Sequence, residues 1–314
     1  VTARTVPTDE PTTFVHEALL YRDHAGYVDH ALRFIYDGLA VDEPVMVAAP
    51  PGNVRLLRER LGPFADEVRF HDMTAAGRNP ARIIPWVLGA FMDEHSGRRV
   101  RIIGEPIWAG RTADEYPVCV QHEAMINFVF RERAATILCP YDASALTPEV
   151  LADAEQTHPI VVDGYHRRAS PRYDPHGVAD QYNRPLGEPP HGATTLRFEL
   201  GDLVLVRRAV EAAGALADLP DDRIVDLQTA VNEVATNSVM HGGGSGTLRT
   251  WVEDSRVACE VRDFGLLTDA LAGRLPPEPL SMRGRGLVMV HYLCDLVQTH
   301  LTATGTTIRL TVLR

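Results

Sequence analysis

Lysine is absent from this chain: the 31 basic residues other than histidine are all arginines. That excludes a Walker A phosphate-binding lysine and a Schiff-base lysine, so any phosphate clamp must be built from arginine, backbone or metal. Cysteine is scarce. Cys119, Cys139, Cys259 and Cys294 are widely scattered, with neither a metal-like pair nor a disulfide framework. No apolar run approaches the length of about eighteen residues that a transmembrane span requires. Residues 1–11 lack the basic-then-apolar layout of a signal peptide. A net charge of -11 and a pI near 5.6 argue against a general nucleic-acid or anionic-membrane surface. These absences predict a cytoplasmic protein with reduced thiols that makes no direct contact with nucleic acid or membrane. With 314 residues, 45% of them hydrophobic, the chain suits two globular domains, each burying its own core.

The most informative stretch runs from Glu233 to His241 and is followed by three glycines. Ile224, Leu227, Val231, Val234 and Val239 recur near helical spacing, which predicts an amphipathic helix over 223–240. Glu233, Asn237 and His241 are four residues apart and so share one face. The carboxylate can take a proton or orient a nucleophile, and the amide oxygen can ligate a hard cation such as Mg²⁺. Alone, this stripe would read as an ordinary solvated face. Three segments further along the chain reverse that preference. A β-like run from Arg256 ends in Asp263-Phe264-Gly265, where an acidic side chain can accept from a ligand amine and the glycine admits close backbone approach. After a polar, proline-rich loop, Arg283-Gly284-Arg285-Gly286 opens an apolar helix, a place where backbone N–H groups and the helix dipole favour phosphate. Gly305-Thr306-Thr307 then precedes the last β-like run. Each element is weak singly, but the ordered set is strong.

From about Thr195 to Arg314 the chain resembles the Bergerat-fold (GHKL) ATP-binding domain. Within that superfamily it is most similar to bacterial anti-sigma factors that are also serine protein kinases. The resemblance implies a two-layer α/β sandwich and a site for ATP and Mg²⁺. Glu233 would be the general base and Asn237 the Mg²⁺ ligand. Asp263 and Gly265 would meet the adenine, Gly284, Arg285 and Gly286 the phosphates, and Thr306 and Thr307 would complete the pocket. Leu266 and Leu267 stand where the family often carries a second glycine. The short loop between Gly265 and Gly284 matches the anti-sigma kinases.

The N-terminal part alternates short apolar strands with amphipathic helices. Helices are predicted over 26–40, 54–61, 82–95, 118–133 and 148–154, and strands over 45–49, 68–71, 100–104, 135–139 and 160–162. Continuously apolar strands separated by helices indicate a parallel sheet covered on both faces, with ligands expected outside the strands' carboxyl ends. From Phe14 to about Gly164 the chain resembles the MEDS sensory domain. The match is carried by Tyr36-Asp-Gly-Leu39, Gly104-Glu105-Pro-Ile-Trp108, Glu123 with Asn127, Leu138-Cys139-Pro-Tyr141-Asp142 and His158-Pro159. It implies a RecA-like parallel α/β/α domain without the phosphate loop, in agreement with the missing lysine. Glu105, Cys139 and Tyr141 are the candidate ligand residues for a small molecule. The plain reading of Cys139 is a small buried hydrophobe. His24, His30, His71 and His122 lack metal-ligand spacing, so no zinc site is expected. Trp86 and Trp108 read as core.

The expected division is a tail over 1–13, a sensory domain over 14–165, a Pro/Gly-rich linker over 166–193 and the ATPase domain over 194–314. The resemblance implies an anti-sigma regulator that phosphorylates a serine of an anti-anti-sigma (STAS-type) protein. Its partners would be that protein, a sigma factor and a second copy of the chain in a homodimer. The alternatives are a nucleotide-gated sigma or adaptor binder without phosphoryl transfer, and a histidine-kinase-like sensor. The last would need a two-helix dimerisation segment upstream, which the proline-rich linker cannot supply.

Overall fold

The computed structural model describes residues 14–254, 256–267, 272–274 and 285–314. Two sheets organise them. The first has seven strands in the order β3-β2-β4-β5-β1-β6-β7. Its elements run β1 (Val15–Tyr21), α1 (His24–Leu39), β2 (Val45–Ala49), α2 (Pro51–Leu61), β3 (Val68–Asp72), α3 (Met73–Ala76), α4 (Ala90–Glu94), β4 (Val100–Gly104), α5 (Tyr116–Val129), β5 (Ala135–Asp142), α6 (Pro148–Thr157), β6 (Ile160–Asp163), β7 (His166–Ala169) and α7 (Pro175–Gln181). All neighbouring pairs are parallel except β6 with β7. Strand side chains alternate between faces. Leu19, Val47 and Leu138 therefore join a core with α1 and α2, whereas Ala18, Leu20, Ile137, Cys139 and Tyr141 join one with α5 and α6.

Three differences from the sequence expectations matter. The run Val15–Tyr21, not predicted as a strand, pairs with both β5 and β6 near the middle of the sheet. The helix predicted over 82–95 is a composite, with a 3₁₀ turn at Pro80–Arg82, a π-helical stretch at Ile83–Gly89 and then α4. Pro85 has no N–H to give to the preceding turn and its ring crowds that turn's carbonyl, which accounts for the widened winding. The 166–193 segment contributes β7 and α7 before an irregular run.

The second sheet has five antiparallel strands in the order β11-β12-β10-β9-β8. Its elements are β8 (Thr194–Glu199), α8 (Leu203–Leu216), α9 (Asp221–His241), β9 (Ser245–Glu253), β10 (Arg256–Asp263), α10 (Arg285–Leu293), β11 (Leu296–Thr302) and β12 (Gly305–Leu313). The three helices cover one face over Leu227, Val231, Val234, Leu248, Val257, Cys259, Val261, Ile308, Leu310 and Val312. This is the two-layer α/β arrangement expected of a Bergerat domain. Among the described residues no helix is long and apolar enough to cross a membrane.

Candidate functional site

The 21-residue helix α9 seats itself on the sheet through Leu227, Ala230, Val231, Val234, Ala235 and Ser238. Glu233 and Asn237, one turn apart, remain half-buried at its edge. Gly286, in the first turn of α10, comes up against them. A β-carbon there would lie 2.5 Å from Glu233 Oε2 and 3.8 Å from Asn237 Nδ2, so the helix start sits directly against the end of the Glu233 side chain.

Strand parity decides which residues of β10 and β12 join this face. Val257, Cys259 and Val261 point toward the helices, so Asp263 does too; Ile308 and Leu310 do the same, so Thr306 follows. Asp263 and Thr306 are direct partners across the ladder. Asp263 accepts from Ser238 Oγ at 2.5 Å and from the Gly265 N–H at 2.8 Å, and Thr306 Oγ1 donates to the Gly265 carbonyl at 2.8 Å. Three glycines allow this close packing. A β-carbon on Gly242 would meet Asp263 Cγ at 2.6 Å, one on Gly265 the Gly242 Cα at 2.7 Å, and one on Gly305 the Asp263 carbonyl oxygen at 2.2 Å. Each Asp263 oxygen keeps a further lone pair for an incoming donor.

Glu233, Asn237, Asp263, Gly265, Gly286 and Thr306 therefore share the helix side of the sheet. Thr307 does not. It faces the opposite side, in a cleft with Arg262, His300 and Pro185–Glu188. Gly284 and the Arg285 side chain lie outside the described residues.

Family models match the chain in two places: "MEthanogen/methylotroph, DcmR Sensory domain" at residues 15–159 and "Histidine kinase-like ATPase domain" at 196–312. A protein named "Anti-sigma F factor" from Bacillus velezensis is 32% identical over 102 residues, covering 29% of this chain and 69% of its own length. The chain belongs to the anti-sigma-factor-like histidine kinase-like ATPases, with a MEDS sensory domain in front. A crystal structure of the RsbU and RsbW domains of Rv1364c from Mycobacterium tuberculosis is 21% identical, with a TM-score of 0.29. It covers 38% of this chain, and the chain spans only 32% of that protein.

The sensory domain reaches into the ATPase domain where α10 ends. Asn79, fully buried, donates to the His291 carbonyl at 2.9 Å and to the Cys294 carbonyl at 3.3 Å. Arg82 Nε donates to the His291 carbonyl at 3.2 Å, and Arg78 pairs with the buried Asp295 at 3.0 Å. Trp86, expected in the core, is 37% exposed and packs on Tyr292 with ring centroids 5.4 Å apart; it serves the contact between domains. Arg274, between β10 and α10, is also buried. Burial lowers its guanidinium to about 10, with the Cys119 thiol of α5 opposing. In turn burial, and after it the Glu123 charge in opposition and Arg274 in support, leave His122 at about 3.

In the sensory domain the expected ligand residues separate. Glu105 sits at the head of α2, where both its oxygens accept from Asn53 Nδ2 at 3.1 and 2.8 Å. Burial raises it to about 8, against the Asn53 hydrogen bond and with the Asp142 charge adding to it. Cys139 and Tyr141 lie instead under α5, fully buried. There β1 and the end of α6 bring His16 and His158 to Glu123 and Cys139. The expectation of no metal-ligand grouping considered only spacing along the chain, and His16 and His158 escaped it. The clue lay in Phe14-Val-His-Glu-Ala-Leu-Leu-Tyr21, an apolar run with a histidine inside it.

Proposed function

We propose that this chain is a signal-responsive anti-sigma regulator. Its C-terminal domain binds ATP with Mg²⁺ and phosphorylates a serine of an anti-anti-sigma (STAS-type) protein, and it sequesters a sigma factor. The observation that carries the reading is the seating of Gly286 directly on Glu233 and Asn237, with Asp263, Gly265 and Thr306 on the same side of the sheet. The similarity to an anti-sigma F factor supports the choice of partners.

Asp263 accepts the adenine amine, held in place by Ser238 and the Gly265 N–H. Asn237 would offer its amide oxygen to Mg²⁺, which when bound would supply positive charge against the phosphates as negative charge develops. Glu233 takes the proton of the partner's serine as the serine oxygen forms its bond to the γ-phosphorus; the bond from that phosphorus to the bridging oxygen breaks and ADP departs. Backbone N–H groups at the start of α10, near Gly286, face the transferred group. The sensory domain acts on this machinery through Asn79, Arg78 and Arg82, which hold the far end of α10.

Incubation with labelled ATP, Mg²⁺ and candidate STAS-type proteins tests the reading. Transfer that is lost in Glu233→Gln while ATP binding persists supports it. Absence of ATP and ADP binding at millimolar concentrations overturns it. The second reading, a nucleotide-gated sigma binder without phosphoryl transfer, draws on one observation. Leu266 follows Gly265 where the family often carries glycine, and it stands exposed beside Phe264. Binding of ATP and sigma factor with no labelled product would select it.

A further inference from the structure

Four side chains from four separate elements meet beneath α5: His16 of β1, Glu123 of α5, Cys139 of β5 and His158 at the end of α6. All four are buried, and their ligand atoms lie within 4.8 Å of one another. Glu123 Oε2 is 3.1 Å from His16 Nε2 and 3.3 Å from His158 Nε2, and His16 Nε2 is 3.4 Å from Cys139 Sγ. A tetrahedron with Zn–N, Zn–O and Zn–S bonds of about 2.0–2.3 Å has edges of roughly 3.3–3.7 Å. The three separations above sit close to those edges, and the remaining pairs lie within 4.8 Å.

Hydrogen bonding around the cluster fixes the ring protons. Asn127 Nδ2 donates to the carbonyls of Glu123, Ala124 and Thr157, so its Oδ1 is the atom facing His16 Nδ1 at 3.1 Å and must accept. His16 therefore carries its proton on Nδ1. His158 Nδ1 lies 2.9 Å from both the Ala154 carbonyl, which can only accept, and Thr157 Oγ1, whose own proton goes to the Asp153 carbonyl at 2.9 Å, so it too is the protonated nitrogen. Both Nε2 lone pairs then point at a carboxylate and a sulfur, and the one proton among these four ligand atoms is that of the Cys139 thiol, 3.4 Å from His16 Nε2. Accordingly Glu123 Oε1 and Oε2 and His158 Nε2 are buried without a hydrogen-bond donor among the described residues. Lone pairs facing lone pairs in a dry interior are costly. Metal-binding histidines characteristically give their other N–H to a carbonyl in this way.

We propose that His16, Glu123, Cys139 and His158 bind a single divalent transition ion of the zinc class in a closed tetrahedral site. Charge balance agrees. One carboxylate, one thiolate and two neutral imidazoles around a dication sum to zero, the state a buried site tolerates. Two imidazoles, a thiolate and a carboxylate suit Zn²⁺ and its surrogate Co²⁺ over Mg²⁺ or Ca²⁺. Four protein ligands leave no open position, so the ion would organise the fold rather than catalyse. Glu123 lies on α5, whose Cys119 and His122 feel the charge of the buried Arg274 of the second domain.

The test uses the full chain, purified without a histidine tag under reducing conditions. Elemental analysis should find about one zinc-class ion per chain. Chelator-stripped protein should take up one equivalent of Co²⁺ with tetrahedral visible bands and a thiolate-to-cobalt charge-transfer band. Cys139→Ser should lose the charge-transfer band, and Cys119→Ser should keep it. Asn127→Ala, which touches no ion itself, should weaken Zn²⁺ affinity about 10–100-fold; it serves where Cys139→Ser does not fold. A folded, stripped wild-type chain that takes up no Co²⁺ overturns the proposal. So does uptake without a thiolate band, or unchanged affinity in Asn127→Ala.

Discussion

Replacing Asn79 should unfasten the sensory domain from the end of α10. Asn79 Oδ1 accepts from the Ala81 N–H and so caps the 3₁₀ turn of its own domain, while Nδ2 serves the ATPase domain. Asn79→Ala removes both donations along with the cap; Asn79→Asp keeps the cap but sets a carboxylate against the two carbonyl oxygens, which adds repulsion to the loss. A buried carbonyl left without its donor costs about 1–3 kcal/mol. The His291 carbonyl retains Arg82, so the larger loss falls on Cys294. A total near 2–3 kcal/mol corresponds to roughly 30–150-fold in the ratio of docked to undocked states. Hydrogen exchange of the amides in α10, measured on the full chain, reports that ratio wherever opening exposes the helix. Exchange in α10 should accelerate by at least about that factor in both variants, with β9 and β10 unchanged. Unaltered α10 exchange would show that the Asn79 contact does not hold the helix, and the route from sensor to nucleotide site would have to lie elsewhere.

Glu233→Gln should keep ATP affinity and lower phosphorylation of a STAS-type partner by about 10²–10⁴-fold; equal turnover in a labelled-phosphate assay would remove the general-base role. Asp263→Ala should lose the adenine contact and leave Ser238 and the Gly265 N–H without their acceptor, weakening ATP by about 1–3 kcal/mol in calorimetry. Glu105, facing Asn53, Tyr21, Tyr27 and Asp142, is raised to about 8 chiefly by burial. The folded state therefore holds a proton that the unfolded state releases between about pH 4.5 and 8. Stability should fall as pH rises through that window, by about 3–5 kcal/mol in all. Denaturant unfolding of Glu105→Gln should show a flatter profile, and parallel pH profiles would contradict the assignment.

The candidate site in the second domain was legible in the sequence as a set of local patterns. Two polar residues four apart on a helix, an acid at a strand end and glycines before a helix are short-range patterns, and helix and strand periods place them without knowledge of the partners. Parity could have separated Thr306 from Thr307, since the apolar alternation of Ile308, Leu310 and Val312 assigns them to opposite faces. The parallel sheet was equally legible from its apolar runs, apart from Val15–Tyr21, whose histidine and glutamate interrupt the pattern. What the sequence could not show is which residues meet across that sheet. His16 and Cys139 are 123 positions apart and touch only because β1 inserts between β5 and β6. Trp86 looked like core because its neighbours are apolar, yet the π-helical turn presents it to Tyr292 of the other domain. Amphipathic periods are set by the few residues on either side. Strand order and domain contact are set by the packing of whole elements, and the buried four-residue cluster and the grip on α10 exist only at that level.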